Sequence, residues 1–418
     1  MLEVRGFHGL RFNAEATGDL SNIITPPYDV ITPIERERLA ARSPYNMVHL
    51  ILPEDRDGLN KYAAARDAFE QWQEQGILQQ DAGPSFYLLR QRFTDLTGML
   101  QERRSFFAVV NLPESGERRI LGHERTFDKP VEDRLRLTEA TRANLGPVFL
   151  LYQDPDKQLA SFLAQMDARE PDATARTIDG VSQELWHVKS NPVVTEFFTD
   201  KTLYIADGHH RFRTAAIYRD QMRQQTGAPF GQHYDYVLAG FVAFDDPGLQ
   251  IYPPHRLVPM PDGFDAEEFL TALEQWFEVT AVEDNLPERV AERAGGCAIG
   301  VSIHETGNYL LVLRDIDRRE LLGDDRGPAW RDLDMAVLHR GILERILNIP
   351  EGTVLEYEKN VDRAMKAAQS GAAGLAFILR TIRPEQIRDC AESGEPMPQK
   401  STYFYPKLPS GGVIHRLY

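Results

Sequence analysis

Cysteine is scarce: Cys297 and Cys390 are the only two in 418 residues, and neither stands in a CxxC pair. That excludes a disulfide framework and a cysteine-rich zinc site, and makes a reducing cytoplasm the expected compartment. Long apolar runs are also missing. The longest, such as Tyr236 to Phe244, are far too short to span a bilayer, and no signal-peptide pattern follows Met1, so no membrane partner is expected. Positive charge is in deficit, with 47 Lys and Arg against 63 Asp and Glu for a net charge of −16. This opposes broad binding to a nucleic-acid backbone, and no nucleic-acid partner is expected. Neither a Walker GxxxxGK[ST] loop nor GxGxxG occurs, and HExxH fails because position 127 is Phe. What remains is ordinary for a globular protein, 42% hydrophobic and 26% charged, with a length that allows two or three domains or one large elaborated one.

The densest chemistry lies in Thr202 to Arg219, TLYIADGHHRFRTAAIYR. Leu203 to Ala206 has the length and composition of a buried strand, and Asp207-Gly208 breaks it. From His209 onward Phe212, Ala215, Ala216 and Met222 recur at helical spacing, so the stretch predicts strand, tight turn, helix. Such a turn leaves the first N–H groups of the helix unpaired beside the positive end of its dipole, which favours an anion. Gly208 permits close backbone approach, and His209, His210 and Arg211 add donors at the mouth. A plainer reading also stands, with Asp207 as a helix cap and the histidines as surface groups.

Upstream, the two prolines of Ile24 to Ile31 hold an extended approach that presents Tyr28 and Asp29 from a loop. Asp29 is either a catalytic or metal-facing carboxylate or a turn aspartate bonding its own backbone. Thr32, Pro33 and Glu35 form a capping-box start to the next helix. Met47 to Leu52 reads as a strand, and 58–76 as an amphipathic helix burying Tyr62, Ala65, Phe69 and Trp72. Phe86 to Phe93 and Arg104 to Val110 read as antiparallel strands, and Val148 to Tyr152, Leu185 to Val188 and Tyr236 to Phe244 as further strands. His123, Glu124, Arg125 and Thr126 close another strand, with Arg134 on the helix after it. His123 and Glu124 offer a general base and its orienting partner, although neighbours in a strand face opposite sides. His255 and Arg256 are candidates to complete a polar pocket.

From Asp262 the character changes to that of an α/β insertion. It has a helix at Ala266 to Phe277, a polar helix near Leu286 to Ala294, and strands at Ala298 to His304 and Tyr309 to Arg314. Met335 to Leu347 predicts a strongly amphipathic helix. The tail, MPQKSTYFYPKL over 397–408, sets Lys400, Ser401, Thr402 and Lys407 among three aromatics. That mixture suits a pocket lining that donates to phosphate oxygens, and equally a strand closing a sheet.

PPYDVI (26–31), GHERT (122–126) with EDRL (132–135), ADGHHR (206–211) and MPQKSTYFYPKL (397–408) together resemble a bacterial and archaeal family called domain of unknown function 1015, over essentially the whole chain. More distantly, strand-DGHHR-helix resembles the Gly-x-His-Arg element of the ParB and sulfiredoxin superfamily. There the start of that helix binds nucleotide phosphates, and free-serine kinases are among the members. The GERR form of the DNA-partitioning members is lacking.

These resemblances imply an α+β fold, a mixed sheet with flanking helices in a ParB/sulfiredoxin-like core, carrying the insertion. Residues 1–261 would form the core, 262–330 the insertion, and 331–418 helices and a tail returning to the core. The implied function is a nucleotide-dependent phosphotransferase acting on a small hydroxyl-bearing metabolite, serine or a related amino acid among the candidates. A nucleotide or phospho-ester hydrolase and a non-enzymatic nucleotide sensor are the alternatives. ATP or ADP with Mg²⁺ would be the cofactors, and a homodimer stays open. On this reading Asp207, Gly208, His209, His210, Arg211, Lys400, Ser401, Thr402 and Lys407 surround the nucleotide phosphates. Asp29 or Glu124, with His123 and His210, carry the proton chemistry, and Asp207 holds the metal. Tyr28, Arg125, Thr126, Arg134, His255 and Arg256 line the rest of the pocket.

Overall fold

The apolar runs of the first 250 residues pair into a mixed sheet. The computed structural model describes residues 1–293 and 295–418. Among them, nine strands form this sheet: β1 (Val4–Arg5), β2 (Ser85–Thr94), β3 (Leu100–Asn111), β4 (Ile120–Leu121), β5 (Val148–Tyr152), β6 (Ala173–Arg176), β7 (Ser182–Lys189), β8 (Leu203–Asp207) and β9 (Tyr236–Ala243). Their order is β4-β8-β5-β9-β3-β2-β7-β6, with β1 beside β3. The β4–β8 and β5–β9 pairs are parallel and the rest antiparallel. β5, VFLLY, is buried at every position, as expected of a central strand covered on both faces. One face holds a cluster in which Phe106 stacks on Phe241 with ring centroids 5.0 Å apart and meets Phe162 edge-on at 5.3 Å. Each such pair contributes about 0.5–1.5 kcal/mol beyond area burial.

Contacts divide the chain into two compact units. The first comprises Met1–Gly122, Thr126–Gln250 and Pro406–Tyr418; the second comprises His123–Arg125 and Ile251–Tyr405. The helices of the first unit include α1 (Pro33–Ala40), α2 (Val48–Ile51), α3 (Lys61–Glu74), α4 (Asp128–Thr141) and α5 (His209–Thr226). The last residues thread through this unit. Thr25 and Ser410 exchange backbone hydrogen bonds of 3.1 and 2.9 Å, Leu10 pairs with Ile414, and Gln91 Nε2 donates to the Lys407 carbonyl at 3.1 Å. Gly240 on β9 makes room for them, since a Cβ there would lie 2.4 Å from Leu408 Cδ1.

The second unit has, among the described residues, a six-stranded sheet: β10 (His255–Val258), β11 (Phe277–Val282), β12 (Ala298–Ile303), β13 (Gly307–Leu313), β14 (Glu356–Glu358) and β15 (Leu375–Leu379), in the order β11-β13-β12-β15-β10-β14. The expected helix near Leu286 to Ala294 is present as Leu286–Ala291, and Ala294 lies outside the described residues.

Two expectations are corrected. Met47 to Leu52 is not a strand but the helix α2, entered where the Asn46 side chain accepts the Val48 N–H at 2.9 Å. A mostly apolar run of six residues has too few positions to separate a period of 2 from one of 3.6. Met335 to Leu347 is helical but widens into a π-helix over Val337–Glu344, with Gly341 packed against Leu321. No helix among the described residues is long and apolar enough to cross a membrane.

Candidate functional site

The strand–turn–helix expected at 202–219 is present, and its turn is where charge concentrates. β8 pairs with β5 through a register shift between Ile205 and Asp207. A bulge of this kind re-aims the next side chain. Gly208 follows at φ 90°, a left-handed conformation that costs an L side chain free energy. A Cβ there would also lie 3.1 Å from Arg211 Cζ and Nε. The bare backbone lets Arg211 fold back, so that its guanidinium donates to Asp207 Oδ2 and to the carbonyl of Pro147. Lys407 Nζ donates to the other oxygen, Asp207 Oδ1, at 2.5 Å. One carboxylate therefore bridges two cations drawn from distant parts of the chain, and all three side chains are between 11% and 14% exposed. Burial pushes the Asp207 carboxyl up, but Lys407 and Arg211 outweigh it and bring it down to about 2. The alternative reading of Asp207 as a helix cap does not hold, because the N-cap is Gly208 and no side chain caps the helix.

Tyr28 and Asp29 sit in a 3₁₀ turn, Tyr28–Val30. Asp29 keeps contact with solvent. Its carboxyl is raised by crowding from protein atoms and by the negative charge of Asp207, against the pull of Arg211 and Lys407. Burial raises the Tyr28 phenol to about 12, with Asp29 adding to the rise. The Arg134 guanidinium lies over the Tyr28 ring, 4.3 Å from its centroid, and donates to the Ile51 carbonyl at 2.5 Å. Asp133 holds Arg134 in place and also accepts from Lys61 and the Tyr62 hydroxyl.

His209 is buried against Gly122, where a Cβ would lie 2.9 Å from His209 Cδ2. His210, expected among the catalytic groups, accepts the Phe127 N–H on Nε2 at 3.0 Å and stacks on the Phe127 ring. Burial lowers its pKa, so it is neutral near pH 7, and Nδ1 is the ring nitrogen left for other chemistry. Thr126 Oγ1 accepts from Arg213 at 3.0 Å.

The other expected residues belong to the second unit. His123 is fully buried, with Nε2 3.2 Å from Thr402 Oγ1; Glu124 is half-buried and Arg125 exposed. Ser401 Oγ donates to the Pro398 carbonyl at 2.5 Å. Lys400 adopts φ 48° and sets its ammonium 4.8 Å from the Tyr357 ring centroid. His255 and Arg256, expected in the pocket, are buried. His255 Nδ1 accepts the Leu379 N–H at 3.2 Å. Arg256 is fully buried over Tyr357 and donates to His339 and to the carbonyls of Pro254, Gln399 and Lys400. The two point to opposite faces of β10, an interior strand paired with β15 and β14, and both are buried.

Asp207 does not fit the metal role expected of it, since each of its oxygens already accepts from a cation. Among the described residues no group of three or more His, Cys, Asp or Glu is placed to hold a metal ion. Sequence reasoning missed Gly146, Thr214 and Ser410. A Cβ at Gly146 would lie 2.7 Å from Ser410 Oγ, a contact for which Gly146-Pro147 and Ser410-Gly411-Gly412 were the available punctuation.

No curated protein matches this sequence. Among solved structures, the chain is similar to a conserved hypothetical protein from Pyrococcus furiosus (15% identity, TM-score 0.36, covering 73% of this chain and 93% of that one). It is also similar to a mutant free serine kinase in complex with AMP (16%, TM-score 0.37, 71% and 87%). A third is C-terminally truncated SbnI from Staphylococcus aureus (12%, TM-score 0.36, 73% and 85%). The family model described as "Protein of unknown function (DUF1015)" matches residues 4–336, and the chain belongs to that family.

Proposed function

We propose that the protein is a nucleotide-dependent phosphotransferase whose acceptor is a small hydroxyl-bearing metabolite. The observation that carries this reading is the pair of cations, Lys407 and Arg211, gathered on Asp207 at the start of an 18-residue helix. Phosphoryl transfer asks a protein chiefly for positioning and charge neutralisation. A polyphosphate competes for both cations with more charge than the single Asp207 carboxylate, and the helix N-terminus favours an anion. Asp29 is the acceptor's base. Its raised pKa brings its proton affinity closer to that of the reacting hydroxyl. The acceptor oxygen forms a bond to the terminal phosphorus while its proton passes to Asp29. The phosphorus–oxygen bond to the nucleotide breaks, and the electron pair leaves on the nucleotide phosphate.

Phosphorus NMR of the purified protein with ATP or ADP, Mg²⁺ and a pool of hydroxylated metabolites tests this. The expected result is a new phosphomonoester signal that is lost in Lys407→Ala and Asp29→Asn. Inorganic phosphate alone would mean a hydrolase. Nucleotide line broadening without turnover would mean a sensor, and an unchanged spectrum would remove the nucleotide from the account.

A further inference from the structure

A cavity of about 60 Å³ lies within the first unit, beside the Asp207 cluster. Leu137, Ala215 and Val237 are among its apolar walls, and Tyr28, Arg134, Arg211, Thr214 and Ser410 among its polar ones. Three polar atoms on this lining are buried without a hydrogen-bond partner among the described residues: the Tyr28 hydroxyl, Thr214 Oγ1 and Arg211 Nε. Thr214 is only 3% exposed. Buried polar groups are nearly always paired, so three on one small cavity point to an occupant. All three can donate, two guanidinium groups border the space, and no carboxylate lines it. Convergent donors under a positive field suit a planar carboxylate, and the apolar walls limit what is attached to it.

We propose that this cavity receives the carboxylate of the phosphoryl acceptor, a short 2-amino or 2-hydroxy acid, with Thr214, Tyr28 and Arg211 Nε as its donors. The proposal rests on the phosphotransferase reading and narrows its acceptor class. Arg211 then serves both ligands, with one edge toward Asp207 and Pro147 and Nε toward the carboxylate. Gly146 belongs to the same design, because a side chain there would displace the Ser410 hydroxyl from the wall.

Isothermal titration of the full chain with serine, glycerate, serinamide and inorganic phosphate tests this, with ADP titrated separately. Saturable binding of both acids, with serinamide weaker by about tenfold or more, is expected. Thr214→Val should weaken the acids by a similar factor. Tyr28→Phe, which keeps the ring under Arg134, gives a second reading should the valine variant fold poorly. Equal binding of serine and serinamide, phosphate matching the acids, or acid affinity unmoved in the folded variants would overturn the carboxylate site. Binding of ADP but of no acid would also overturn it while leaving the phosphotransferase reading intact. Binding of the acids but not of ADP would support the cavity and remove the nucleotide.

Discussion

Asp207→Asn keeps the shape of the side chain and removes the charge that both Lys407 and Arg211 answer. Two routes bound the effect. The carboxyl is lowered from its ordinary 3.8 to about 2, and by linkage that is worth roughly 2 kcal/mol. Breaking a buried ion pair by deleting one partner costs about 3–5 kcal/mol. A loss of about 2–4 kcal/mol from the first unit at pH 7 is therefore expected. The sign is that of a depressed carboxylate, with the contribution fully present above about pH 4 and lost as pH falls toward 2. The difference between the two proteins should thus be flat from pH 7 to pH 5 and close only in stronger acid. The same substitution leaves two cations without their counter-charge, so ADP should stabilise the variant more than the parent. At a concentration of ten times Kd the linkage gain is about 1.4 kcal/mol, and it rises with affinity. Differential scanning calorimetry with and without ADP measures both quantities. A loss under about 0.5 kcal/mol together with equal ADP shifts would refute the claim that Asp207 counterbalances a phosphate-binding pair.

Other substitutions probe the supports. Gly208→Ala forces an L residue to φ 90° and crowds Arg211. A loss of about 1–3 kcal/mol and weaker ADP binding are expected, and a neutral outcome in calorimetry and titration would count against this turn as the anchor. In the second unit, burial and the Arg256 charge hold the His255 pKa down at about 4. Below about pH 6.5 the unfolded chain takes up a proton that the folded one refuses, so stability falls between pH 6.5 and 4, by roughly 2 kcal/mol at pH 5 for this group. A melting temperature that does not change between pH 7 and 5 would contradict it. Arg256→Lys cannot reproduce the donors that reach the Gln399 and Lys400 carbonyls. Faster tryptic cleavage at Lys400 is expected, and unchanged digestion kinetics would show that Arg256 does not hold the tail.

Features that depend on a few neighbouring residues could be read directly. Thr32 and Glu35 form the reciprocal capping box their spacing predicts, with the Thr32 N–H donating to Glu35 at 2.9 Å, because both partners lie within one turn. The strand, turn and helix of 202–219 were legible for the same reason: the apolar period changes at Asp207-Gly208, where the backbone needs a positive φ. The α+β class came from the family resemblance, and the mixture of such runs agrees with it. Met47 to Leu52 shows the limit, since its five apolar residues satisfy a buried strand and a buried helix alike, and packing chose the helix.

The site was legible in residue type but not in partnership. Asp207, Arg211 and Lys407 stood among the expected phosphate-binding residues, yet nothing in their spacing says that one carboxylate takes both cations, 4 and 200 positions away. Arg256 has the composition of a pocket residue and is instead locked onto the backbone of the tail. Thr214 drew no attention as a helical threonine, and its meaning lies in the unpartnered hydroxyl it brings to a cavity bordered by residues from 28 to 410. Local periodicity and turn chemistry are short-range and survive in the one-dimensional pattern. Which charges meet, and which donors are left facing an empty space, is decided only when packing brings distant segments within a few ångströms.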